Sequence, residues 1–154
     1  MPRTSFTPRH PSHAPGAFTV EQWRLLTWLP AEVMIMAVSS LGRRRTVAEG
    51  LAGLDAIAAG RAYDSDLVRA VVAAIYAEPE SEEERSYPAE PARVLADCRR
   101  VSGILRAHAD PADAAVYRHW VQQVAVRVYR AGPDQPGSDR TPQSLLDDLA
   151  AALA

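Results

Sequence analysis

The chain has no lysine and no asparagine, a single cysteine, and only 6% aromatic residues in a length of 154. Each shortage excludes something. One thiol, Cys98, rules out an intrachain disulfide and any cysteine-rich metal site. The 17 basic residues, all arginine, are outweighed by 19 acids. The net charge of −2 gives no general attraction to nucleic acid or to an acidic membrane. No segment approaches the ~20 apolar residues that a membrane span needs. The opening stretch MPRTSFTPRHPSHAPGAF is basic but lacks an apolar run, so it does not read as a secretory signal, and the expected location is the cytoplasm. There is no glycine-rich phosphate loop and no nucleophile elbow. The expectation is a protein that is not an enzyme, with no cofactor and no metal.

What is present is 47% hydrophobic residues in a patterned order, enough for one globular domain. Residues 1–17 are rich in Pro, Ser and His and read as a disordered arm; residues 18–154 read as a single helical domain. Order begins at FTVEQW, where Thr19 and Gln22 form a capping box and Phe18 and Trp23 occupy the two positions of a hydrophobic staple. A first helix is expected from Val20 to about Trp28, with Pro30 restarting the chain because it lacks an N–H. The second helix, AEVMIMAVSSL, is apolar on nearly every face and belongs in the middle of the bundle. After the turn GRRR, Thr46 and Glu49 form a second capping box. They open a third helix with Val47, Leu51, Leu54 and Ala58 on its inner face and Gly60 at its end.

Asp64 or Ser65 caps a fourth helix with the recurring pairs Leu67/Val68, Val71/Val72 and Ile75/Tyr76. The segment EPESEEERSYPAEP (residues 78–91) is too acidic and Pro-rich to be regular and reads as a flexible linker. A fifth helix buries Val94, Leu95, Cys98, Val101 and Leu105. Asp110 and Pro111 start a sixth, with Val116, Tyr117, Trp120, Val124 and Val128 inside. Thr141 and Pro142 start a seventh, with Leu145, Leu146, Leu149 and Leu153 inside. No alternating strand occurs. The predicted fold is all-α, a compact bundle of about seven helices.

A weak internal repeat lays residues 37–59 on residues 125–153. Each copy has an apolar helix, a Gly-containing turn, an Arg-Thr dipeptide and a helix with leucines at matching offsets (Leu51 and Leu54; Leu146 and Leu149). The two copies make two similar helix-loop-helix hairpins. The run Arg43, Arg44, Arg45 then falls in the first hairpin's turn, solvated, and is the one candidate interaction site. This layout resembles the tellurite-resistance TerB-like proteins and, through FTVEQWRLLTWLPAEVMIMAVSS, LVRAVVAAI and ADAAVYRHWVQQVAVRVYRAG, small bacterial helical proteins of uncharacterised function. The resemblance implies an all-helical fold and, for TerB-like proteins, acidic turns associated with metal binding. Here the first turn keeps only Glu49. The second keeps Asp134 and Asp139 but has Gln143 where an acid is expected, and three arginines repel a divalent cation.

The remaining chemistry-bearing residues read as structural. His108, Asp110, Asp113 and His119 share a twelve-residue window, but His119 has no acid three or four residues away to share its helix face. Asp110 and Asp113 suit a helix N-terminus. His10 and His13 lie in the arm. Cys98 falls on an apolar stripe despite its neighbours Arg99 and Arg100. Trp23, Trp28, Trp120, Tyr76 and Tyr117, with Met34 and Met36, read as core rather than as a ligand pocket. Gly50 and Gly53 read as positions of close helix packing. The expected function is therefore non-enzymatic and works through protein–protein contacts or self-association, with no nucleic-acid or membrane partner. The alternative, carried by the resemblance alone, is a TerB-like small-molecule or metal binding module with a stress-response role.

Overall fold

The computed structural model describes residues 17–42, 46–77, 90–132 and 140–154. Six α-helices follow one another: α1 (Val20–Ser40), α2 (Val47–Ala58), α3 (Asp66–Ala77), α4 (Pro91–His108), α5 (Pro111–Ala131) and α6 (Arg140–Leu153). A short 3-10 turn (Ala59–Ala62) extends α2, and the described residues contain no strand. Among the described residues the fold is all-α, as the patterning predicts, with six helices in place of about seven. All but the last residue of the proposed arm (residues 1–17), the arginine run, most of the acidic linker (78–91) and the loop 133–139 lie outside the described residues.

The missing helix boundary is at Pro30. Sequence reasoning ends a helix before this residue, yet α1 runs through it as one helix of 21 residues, with Pro30 itself buried. A proline inside a helix has no N–H for the carbonyl four residues back, here that of Leu26. The structure supplies a substitute: the Tyr117 hydroxyl, on α5, donates to the Leu26 carbonyl at 2.7 Å. The same bond serves the tyrosine, which is completely buried and must find a partner for its O–H. Burial pushes the phenol well above its ordinary pKa, so it stays a donor.

Local start signals explain most other boundaries. The α1 capping box is closed in both directions, Thr19 N–H to Gln22 Oε1 at 3.0 Å and Gln22 N–H to Thr19 Oγ1 at 3.1 Å. Phe18 packs on Trp23 as the staple, ring centroids 6.1 Å apart. Asp110 Oδ1 accepts from the N–H groups of Ala112 and Asp113 at the start of α5. Ser65, not Asp64, caps α3: its hydroxyl accepts from Val68 N–H at 3.2 Å and donates to Asp113 Oδ1 on α5 at 2.7 Å.

Helix α5 is the axis of the bundle and packs against all five others. Its buried residues Tyr117, Trp120, Val121, Val124 and Val128 meet Leu26, Leu29, Val33 and Met36 of α1, Val68, Val71 and Val72 of α3, and Val94, Cys98, Val101 and Leu105 of α4 within one core. Leu149 and Leu153 close the core from α6, while Leu146 packs at its margin. Ser102 and Arg106 of α4 both donate to the Ala154 carbonyl oxygen, at 2.9 and 2.6 Å, tying the end of α6 to α4.

Tyr117→Phe leaves the buried Leu26 carbonyl without a donor and is expected to cost about 1–3 kcal/mol in chemical denaturation. In a Pro30→Ala background, where residue 30 regains its N–H, the same change should cost less. Equal losses in the two backgrounds would show that the hydroxyl does not answer the proline.

Candidate interaction surface

Helix α2 is turned differently from the face its sequence suggests. Val47, Leu51 and Leu54 are exposed (78%, 59% and 50%), and the residues facing inward are Glu49, Gly53, Ala56 and Ile57. Both faces of this Ala-, Gly- and Leu-rich helix are apolar, so periodicity alone does not choose between them. Packing distance does. A Cβ on Gly53 would stand 2.5 Å from Met34 Cγ and 3.1 Å from Val128 Cγ2. A Cβ on Gly60 would stand 2.7 Å from Val72 Cγ2 and 2.8 Å from Trp120 Cε2. The backbone of α2 comes that close because small residues face α5, and Trp120 Nε1–H reaches across to donate to the Ala56 carbonyl at 3.1 Å. Leucines on that face would hold the helices apart. The α-helix does end here, at Ala58 with Ala59 as its C-cap, and Gly60, in the 3-10 turn that follows, also serves close packing. Gly50 faces open space, with nothing within 4 Å, so of the two glycines read as packing residues only Gly53 is one.

The leucines of the internal repeat therefore do not have matching roles. Leu149 is buried in α6, whereas its counterpart Leu54 is half-exposed. The result on α2 is an apolar stripe on the outside of the bundle, directly after Arg43, Arg44 and Arg45 in the chain. Those three arginines, the site the sequence singles out, lie outside the described residues.

On the inner side of the same helix sits a group that pattern reading takes only for a cap. Glu49 is inaccessible to solvent. Its Oε2 accepts from Thr46 N–H at 2.7 Å and from the Thr46 hydroxyl, and Oε1 has no hydrogen-bond partner among the described residues. The Thr46 hydrogen bond holds the carboxyl below the usual glutamate range, against the opposing effect of burial. The capping box is what draws an acid inside: N3 of α2 points at the bundle.

The other sequence candidates are dispersed. Cys98 is fully buried, and burial, seconded by Asp97, pushes its thiol up to about 12. His108 and His119 are exposed; His108 meets the ring edge of Phe18, and His119 that of Tyr63. Asp113 is engaged with Ser65. The aromatics do not converge on a pocket. Tyr117 and Trp120 pack edge-on in the core, Trp28 lies under Arg24, and Tyr76 lies under the Arg61 guanidinium, 4.5 Å from its ring centre. An open groove of about 480 Å³ between the start of α1 and the end of α4 is lined by Gln22, Leu25, Arg100, Ile104 and His108 among others. Two of its polar residues are committed locally, Gln22 to the capping box and Arg100 to Asp97 at 3.6 Å. Among the described residues no three His, Cys, Asp or Glu side chains are grouped to hold a metal ion, and no helix is long and apolar enough to cross a membrane.

No family model, curated protein or solved structure matches the chain.

Two outcomes check the electrostatic reading. The Glu49 carboxylate is favoured by the folded state, so its stabilising contribution is complete above the unfolded-chain pKa of about 4.3 and is lost as pH falls through the lower folded value. Glu49→Gln is expected to flatten that acid limb in urea denaturation across pH, and an unchanged limb would contradict the assignment. For Cys98, native-state alkylation at neutral pH should be slower than in denaturant by about three orders of magnitude. Comparable rates would show an accessible thiol.

Proposed function

We propose that this chain is a non-enzymatic helical protein that acts through protein–protein contacts, and that the outer face of α2 is the contact surface. The reading rests on one observation: three large apolar side chains, Val47, Leu51 and Leu54, stand exposed on consecutive turns of a helix whose other face, with Gly53, Ala56 and Ile57, is packed into the core. Complete burial of an exposed leucine is worth about 1.5–3 kcal/mol, and Leu51 and Leu54, 59% and 50% exposed, leave roughly half of that each for a partner to cover. Isolated surface leucines need no explanation, but an aligned stripe does. Arg43 to Arg45 precede the stripe in the sequence, and their charge gives the proposed contact selectivity and salt sensitivity.

The test compares the tagged chain with one carrying Leu51→Glu and Leu54→Glu, each mixed both with native-host lysate and with a differently tagged copy of itself. Because these positions are exposed, the substitutions should leave the circular dichroism and melting temperature nearly unchanged. A specific partner, whether another protein or a second copy, is expected to be lost with the double substitution. It should be retained with Ala115→Glu at an exposed position of α5. Identical recoveries from all three forms would sink the assignment of the surface.

A further inference from the structure

The groove between the start of α1 and the end of α4 belongs neither to the core nor to the α2 stripe. Its volume of about 480 Å³ falls among those of small-molecule sites, roughly 300–1,000 Å³. Charges of opposite sign line it from opposite helices, Glu21 on α1 and Arg100 on α4. They are not joined to each other. Glu21 has no ion-pair or hydrogen-bond partner among the described residues. Arg100 stands 3.6 Å from Asp97 Oδ1, beyond the usual N–H···O length of about 2.7–3.2 Å, so its N–H donors stay open. The packing of the two helices thus holds an acid and a base on one groove without letting them neutralise each other.

The surface between these charges is apolar. Leu25 of α1 and Ile104 of α4 line it, both only partly buried. Gly103 opens the α4 side, with nothing within 4 Å of where its Cβ would stand. Glycine is among the poorest helix formers, and this one sits in the interior of α4 with no packed neighbour that requires it. What its missing side chain leaves is room in the groove.

We propose that this groove binds a small organic zwitterion with an apolar body, the chemistry of an apolar amino acid. Arg100 takes the carboxylate, for which a guanidinium offers two parallel N–H donors. Glu21 takes the ammonium. Leu25 and Ile104 cover the body in the space that Gly103 leaves. The pair of charges also selects: a dianion meets Glu21, a dication meets Arg100, and each is repelled at one end. The groove is open to water on one side, so each charge contact is modest and the affinity low. This assignment goes beyond the α2 contact surface and does not depend on it.

The probes are L-phenylalanine, phenylpropionate, which lacks the ammonium, and phenethylamine, which lacks the carboxylate. Each is titrated into the isotope-labelled full chain and followed by amide NMR. Phenylalanine is expected to give saturable shifts confined to residues 19–25 and 100–108. Each single-charge analogue should bind about three- to fivefold more weakly. Arg100→Gln should weaken phenylalanine by a similar factor and leave phenethylamine unchanged. Glu21→Gln should weaken phenylalanine and leave phenylpropionate unchanged. Both positions are exposed, so the melting temperature should hold. Gly103→Leu puts a better helix former into the open space, and should abolish binding while keeping or raising the melting temperature. Absence of a saturable response to phenylalanine, or shifts centred elsewhere, overturns the site. Equal affinity for the three probes overturns the zwitterion, and binding indifferent to Gly103→Leu overturns the groove.

Discussion

The bond from the Tyr117 hydroxyl to the Leu26 carbonyl is the constraint around which the bundle is arranged. A proline at position 30 breaks the hydrogen-bond ladder of α1 at one rung, and a buried tyrosine on α5 restores it from outside the helix. An unbroken α1 and an equally long α5 can then lie against each other and share Leu26, Leu29, Val33, Tyr117, Val121 and Val124 in one core. Had α1 stopped at Pro30, its second half would have been free to pack as a separate short helix. The two buried groups have complementary needs, an acceptor without a donor and a donor without an acceptor. Either one left alone carries a desolvation penalty, so each makes the other tolerable.

With α1 and α5 fixed, the place of α2 is decided by how closely its backbone can approach. Gly53 and Gly60 are filled by Met34 and Trp120 side chains from the neighbouring helices, and the Ala56 carbonyl is used as an acceptor by the Trp120 indole. This arrangement puts the small face of α2 inside, together with Glu49, whose charge is kept by its capping threonine. Ile57 is buried with this face, while Val47, Leu51 and Leu54 are left on the outside. The exposed stripe is thus a direct consequence of the packing that positions α2, and the proposed contact surface and the core interface are opposite faces of one helix.

Much of the architecture was legible from local signals. Capping boxes at Thr19 and Thr46, the aspartate-proline start at Asp110, and the burial of Cys98 follow from short-range chemistry that does not depend on distant residues. The boundary at Pro30 was misread because its rescue comes from Tyr117, which is distant in sequence, and no local pattern announces it. The face of α2 was misread for a different reason. In VAEGLAGLDAIA one helical face carries Val47, Leu51 and Leu54 and the other Glu49, Gly53, Ala56 and Ile57, and hydrophobicity favours the leucines. The choice between them depends on the gap left by α5, which is a property of the assembled bundle.

Local sequence by itself determined that the chain is helical, where most helices start, and that its one thiol belongs to the core. These are outcomes of hydrogen bonding and periodicity within a few residues. Tertiary structure alone decided that Pro30 sits inside a continuous helix, that Glu49 is buried, and that Leu51 and Leu54 face outward. Each of these turns on a partner brought close only by folding, because the free energy of a buried carbonyl, carboxylate or glycine is set by the atoms packed against it.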